Sequence, residues 1–453
     1  MRPLPKLLNI AVLMFVIVLQ ACGMPSAETR TEVATPTAEP LAALPGPAHD
    51  VPPALAPTVI PPMPGAAAQP ERWPAEMLLA RASNGLIAYN LADGQTLFHL
   101  PRGRLSADGK HYVTAELLDN NDKGGTTQIG LYDVAANFRL TTLFNENGSW
   151  ALGAVSSNGR WAALTRIPAE LEKAAWTRAK RWQTDVQIFD TLKHAVVHSV
   201  KLDGNFEVDA LSPEGFSLFL IEHVPAIDPA HYRVRLYSVV NAKLQEGALV
   251  DKGSPPAEVM TGYAWDGVAS PDGQWLLTLY LDTLRNVAFV HALNLVGQYA
   301  LCVDLPSGSG DFNLLKQYTL ALAPDGNKLY AANSALGVVA HITLYQSIGV
   351  ARTERFTPQG FATPPLQDVM APAARSIISR DGSKLYFSSG WDVWGYDTKA
   401  GKFDGPILSS APIAELGLSA DGARLYLARA QLPLTVLDTA SGGELHFPAP
   451  NGP

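Results

Sequence analysis

Glu222, His223, Asp228 and His231 lie close together in the chain, and carboxylates and imidazoles are the groups that bind divalent metals. Their spacing matches no metal-ligand motif, so the expectation is an ordinary polar loop, with no metal assigned. The two cysteines, Cys22 and Cys302, form no C-x-x-C pair, which excludes zinc ribbons and covalently attached haem. Cys302 sits in the apolar run Tyr299-Ala300-Leu301-Cys302-Val303 and reads as a small core hydrophobe on a buried strand. No nucleophile and base stand at a recognisable spacing, so no catalytic residue and no cofactor is assigned. What remains is Trp176 with Arg178 and Arg181, a large aromatic surface beside cationic donors, the residue types that dominate interaction hot spots.

Those three residues need an element to present them. The segment from Pro168 to Trp182 reads as a short helix: Pro168 at its first turn, Glu170 and Glu172 early, Arg178, Lys180 and Arg181 late, matching the helix dipole. Leu171, Ala175 and Trp182 fall near one face of it, and Trp176 falls away from that face. The helix is expected to be an insertion between two strands, on a connection equivalent to the one carrying Glu222 to His231. Two other long connections, around Pro255-Pro256 and from Ser347 to Pro372, are Pro-rich and carry no recognisable chemistry.

The scaffold behind these loops is a repeat. The element Ser-x-(Asp/Glu/Asn)-Gly recurs as Ser106 to Gly109, Ser156 to Gly159, Ser212 to Gly215, Ser270 to Gly273, Ser379 to Gly382 and Ser419 to Gly422, with Ala323 replacing Ser in the copy that ends at Gly326. Its glycines are spaced by 40 to 58 residues, the period of propeller blades. Glycine supplies the positive φ that lets two antiparallel strands close, and the acid or Ser bonds nearby backbone N–H groups. An alternating strand follows each turn, as in Lys384-Leu385-Tyr386-Phe387 and Arg424-Leu425-Tyr426-Leu427. A later strand ends in a second turn, as in Asp397-Thr398-Lys399-Ala400-Gly401 and Leu437-Asp438-Thr439-Ala440-Ser441-Gly442.

This pairing of turns resembles the YVTN-type propeller repeats of secreted bacterial proteins and, more loosely, WD-repeat-like units. The resemblance implies an all-β β-propeller of seven or eight four-stranded blades. An extra unit, Leu86 to Gly94, leaves the number open. It either completes the closing blade together with the C-terminal strands or forms a separate three-stranded blade.

The N-terminus has its own signature. Arg2 and Lys6 precede an apolar run from Leu7 to Leu19, the length of a signal-peptide core and short for a membrane span. Leu19-Gln20-Ala21-Cys22 resembles the bacterial lipobox, which implies cleavage before Cys22 and lipidation of its thiol. The following stretch carries 12 Pro and 11 Ala between Met24 and Arg72 and no aromatic residue, the composition of a solvated stalk. The expected organisation is a lipoprotein signal peptide over 1–21, a lipid-anchored Pro/Ala-rich linker over 22–72 and a propeller domain over 73–453.

A formal net charge of −8, more acidic still without Arg2 and Lys6, argues against nucleic-acid binding. The functional expectation is therefore an envelope lipoprotein, membrane-bound on the extracytoplasmic side, whose propeller binds a protein, a glycan or a wall component. The alternative is a propeller enzyme, lactonase-like or quinone-dependent, with its site in the central channel. Convergent acidic, basic and imidazole groups around a pocket there would favour the enzyme; a flat aromatic and polar rim would favour binding.

Overall fold

In each repeat the first turn closes on itself. The Ser106 hydroxyl donates to Asp108 Oδ1 (2.6 Å) and accepts the His111 N–H (3.0 Å), while Gly109 takes φ of 71°. The same two bonds recur at Ser156, Ser379 and Ser419. The Asp-Thr turn then ties itself to the first: Thr398 donates to the Gly382 carbonyl (2.7 Å) and Thr439 to that of Gly422 (2.8 Å). Two hairpin ends are thereby held side by side, and three consecutive strands become four. The conserved-looking polar residues of the repeat are thus spent on turns.

The computed structural model describes residues 76–447 apart from 83–84, 120–124, 168–180, 229, 250–258, 309–311, 346, 359–373, 410–411 and 430–431. These residues form an eight-bladed β-propeller. Blade 1 is a three-stranded antiparallel sheet, Met77–Ala82, Gly85–Asn90 and Thr96–Pro101. Blades 2 to 8 each have four antiparallel strands in sequence order, beginning at Gly103, Trp150, Asn205, Tyr263, Thr319, Arg375 and Ile413. Blade 4 carries one further short strand, Met260–Thr261, paired to His231 and Tyr232. The expectation of four strands throughout therefore holds for every blade except the first.

Apolar residues face the neighbouring blades on both sides, so the core is a set of inter-blade layers rather than one centre. Leu277, Leu279 and Val290 of blade 5 meet Leu329, Ala331 and Ala340 of blade 6. Phe219 and Val234 of blade 4 meet Tyr280 and Phe289 of blade 5. The ring closes by the same means. Leu78, Ala80 and Leu91 of blade 1 pack with Tyr426, Ala428 and Val436 of blade 8, and Glu76 Oε1 accepts the Ala420 N–H at 3.0 Å. Among the described residues no N-terminal strand is borrowed to complete blade 8, whose four strands all come from the C-terminal repeat. This settles the count at eight.

Blade 6 lacks the turn hydroxyl because Ala323 stands where the other repeats have Ser. Its turn keeps the backbone bond from the Ala323 N–H to the Lys328 carbonyl (2.8 Å). Ala323→Ser restores an acceptor for the Lys328 N–H and is expected to raise stability by about 0.5–1.5 kcal/mol. Denaturant unfolding checks it, and a loss of stability would mean that Ala323, 7% exposed, is too tightly packed for an added oxygen.

Candidate site in the central channel

The first strand of each blade lines the axis, and its register there is irregular. In blade 4 the pairing slips between Val208 and Ala210, so Asp209 has no cross-strand partner and is held in a bulge. Similar slips occur at Gly153 in blade 3, Trp265 in blade 5 and Ala414 in blade 8. A bulge re-aims the side chain it carries, and here the bulged strands surround a cavity of about 1350 Å³.

Glu207, Asp209 and Arg104 are the charged groups at its centre. Glu207 and Asp209 are two residues apart on one strand of blade 4, and Arg104 comes from the three-residue inner strand Gly103–Leu105 of blade 2. Burial raises the Asp209 carboxyl to about 7; Arg104 pulls it down and Glu207 pushes it up, and burial wins. At neutral pH Asp209 therefore exchanges its proton. Arg104 is enclosed by protein, which lowers its pKa, with Asp209 opposing that shift. Its side chain is nevertheless wetted by the channel, and its guanidinium forms no ion pair or hydrogen bond to another described residue.

The wall around these groups is aromatic and incompletely bonded. Tyr232 and Tyr280, 1% and 3% exposed, stack at 5.0 Å between ring centres. Trp265 of blade 5 also lines the cavity, its indole N–H bonded to the Lys316 carbonyl at 3.0 Å. Three buried polar atoms in this wall lack a hydrogen-bond partner of ordinary geometry: Asp209 Oδ2, His223 Nδ1 and the Tyr232 hydroxyl. Buried groups of this kind are normally satisfied, so the channel is polar enough to reward an occupant that bonds to it.

The four residues considered as metal ligands go separate ways. His223 Nε2 bonds Glu207 Oε1 at 3.0 Å and so belongs to the channel, whereas Glu222, on the opposite face of the same strand, pairs with Arg235. Asp228, on the connecting turn, and His231, the first residue of the strand His231–Ser238, bond each other at 2.7 Å. Cys302 lies half-buried on the strand Tyr299–Asp304 and packs against the layer between blades 4 and 5.

Of the insertion residues, Trp176 and Arg178 lie outside the described residues, as does Cys22. Arg181 is half-buried and turns inward: its Nε donates to Asn205 Oδ1 (3.2 Å) at the start of blade 4's inner strand. Burial lowers its pKa, and the Glu207 charge acts against that shift. Trp182, expected on the packed face, is 76% exposed. The insertion does connect the second and third strands of its blade, Trp161–Arg166 and Gln183–Asp190.

No known protein family matches the chain, and no curated protein matches it either. Among solved structures it is similar to a dihydro-heme d1 dehydrogenase, NirN, at 14% identity over 83% of this chain and 74% of that one, with a TM-score of 0.48. The Dos1 propeller gives 10% identity over 80% and 88%, TM-score 0.46. A periplasmic gluconolactonase of Pseudomonas aeruginosa gives 18% identity over 73% and 93%, TM-score 0.40. The likeness is one of fold.

Proposed function

We propose that this protein is a lipid-anchored propeller of the bacterial envelope that binds a glycan in its central channel. The observation that carries this reading is the cavity of about 1350 Å³ whose wall combines Glu207, Asp209 and Arg104 with the partly exposed ring of Trp265. Sugars offer hydroxyls to charged acceptors and C–H faces to rings, and the volume exceeds that of a usual drug-sized pocket, leaving room for several sugar units. Lipidation at Cys22 and a Pro/Ala-rich stalk would hold the ring away from the bilayer, within reach of polymers outside it.

The test is titration of the protein with neutral and acidic oligosaccharides. One-to-one binding is expected, lost when Ala151→Trp fills the channel wall in a protein that melts as wild type does. Binding that survives the plugged channel would move the site elsewhere on the ring. For the anchor, Cys22→Ser is expected to leave an uncleaved or unlipidated form that no longer partitions into detergent, because only a thiol accepts the diacylglyceryl group. Unchanged partitioning after normal processing would refute lipidation.

A second reading, a hydrolase in the same channel, is favoured by the convergence of Glu207, Asp209, Arg104 and His223 on one cavity, with burial raising the Asp209 carboxyl to about 7 while Glu207 stands two residues away on the same strand. Two carboxylates on one cavity wall are the residue types that act as acid and base in hydrolysis. New reducing ends or released acid on incubation with a bound oligosaccharide would select this reading.

A further inference from the structure

The charge in the channel is not evenly answered. Glu207 is bonded to His223, and Glu415 lies 3.9 Å from Arg375. Asp266 accepts the Gly267 N–H at 2.9 Å. Arg104 is different: it is exposed to the cavity that it lines, and no described residue bonds its guanidinium. A guanidinium placed this way presents a planar fork of donors to whatever enters, and the group that matches the fork is a carboxylate or another oxyanion.

We infer that the channel's ligand carries a carboxylate, which Arg104 grips in bidentate fashion while Asp209 and Glu207 take neighbouring hydroxyls. The inference rests on the glycan reading and narrows it to acidic glycans, such as those containing uronic acids. Among oxyanions a carboxylate fits better than a phosphate. Arg102 and Arg104 line the cavity against Glu116, Glu207, Asp209, Asp266 and Glu415, so a dianion would meet more repulsion there than a single carboxylate.

The grip has a proton signature. The groups acting on Asp209 are Arg104 across the channel, Glu207 on its own strand with His223 bonded behind it, and the stacked Tyr232 and Tyr280. A carboxylate arriving at Arg104 cancels the one charge that favours ionised Asp209 and adds a like charge beside it. Asp209 thus holds its proton more tightly in the complex than in the free protein. Binding takes up a proton, and affinity falls as pH rises through about 7, by up to about tenfold per pH unit.

The experiment is isothermal titration of the full chain with oligoglucuronate, its methyl ester and a sulfated neutral oligosaccharide, each at pH 6 and pH 8.5. The free acid is expected to bind at least tenfold more tightly than the ester or the sulfated sugar, and more weakly at pH 8.5 than at pH 6. Arg104→Gln should reduce the acid to the affinity of the ester, and Arg104→Lys, which keeps charge without the fork, should fall between. Asp209→Asn should keep the preference for the acid while losing its decline with pH. Equal binding of acid and ester in wild type overturns the carboxylate inference and leaves the glycan reading standing. Tightest binding of the sulfated sugar replaces carboxylate by sulfate and likewise overturns it. Failure of every saccharide, neutral ones included, overturns the glycan reading itself.

Discussion

Tyr426→Ala is expected to destabilise the propeller by about 3–5 kcal/mol, and deletion of residues 412–453 to abolish cooperative unfolding. Tyr426 is 1% exposed in the layer that joins the last blade to the first, against Leu78, Ala80 and Leu91. Many propellers close by sharing strands between their termini, which hydrogen-bonds the two ends together. Here blades 1 and 8 are separate sheets, and among the described residues side-chain packing and the bond from the Ala420 N–H to Glu76 Oε1 hold them together. A cavity at Tyr426 therefore weakens the one seam that no chain connection crosses. The deletion goes further, exposing the apolar face of blade 1 and that of blade 7, whose Tyr386 and Val393 pack on Ile413, Leu425 and Leu427. Urea titration followed by intrinsic fluorescence and by circular dichroism checks both. Coincident, sharp transitions in the truncated chain would show that the ring does not need closure.

Asp209→Asn is expected to stabilise the protein at pH 8 and to have little effect at pH 4. The Asp209 carboxyl goes from its ordinary value of 3.8 in the unfolded chain to about 7 in the fold, chiefly through burial. A carboxyl raised on folding contributes stability that is fully present below pH 4 and is lost as pH rises through about 7, because the unfolded chain ionises first. The full shift corresponds to a loss of up to about 4 kcal/mol above neutrality, an upper bound given that Arg104 loses a favourable charge in the variant. Melting temperature measured from pH 4 to pH 8.5 should fall for wild type across that window and stay flatter for Asp209→Asn. Parallel curves would mean that water reaches Asp209 and that its carboxyl is ordinary.

The turn motifs Ser-x-Asp-Gly and Asp-Thr-x-x-Gly were readable from the sequence because every bond they make is local. Ser419 reaches Asp421 and Arg424, Asp438 reaches Ser441, and Thr439 reaches back to Gly422 within the same blade. Local bonds require fixed residue types at fixed spacing, and repetition made the architecture legible. The number of blades was not, because Leu86 to Gly94 looks the same whether its sheet stands alone or completes another, and only the packing of Leu78 and Leu91 on Tyr426 decides it. Nor was the channel. Arg104 and Glu207 belong to different blades separated by a whole repeat, and Asp209 is turned inward by a bulge that no residue type announces. His223 stood out in the sequence beside Glu222 and was grouped with it, yet strand alternation sends the two to opposite faces, one into the channel and one to Arg235. Turns are determined by neighbours along the chain, and sites at a propeller's axis by neighbours across the ring, which is why the first could be read residue by residue and the second waited for the closed structure.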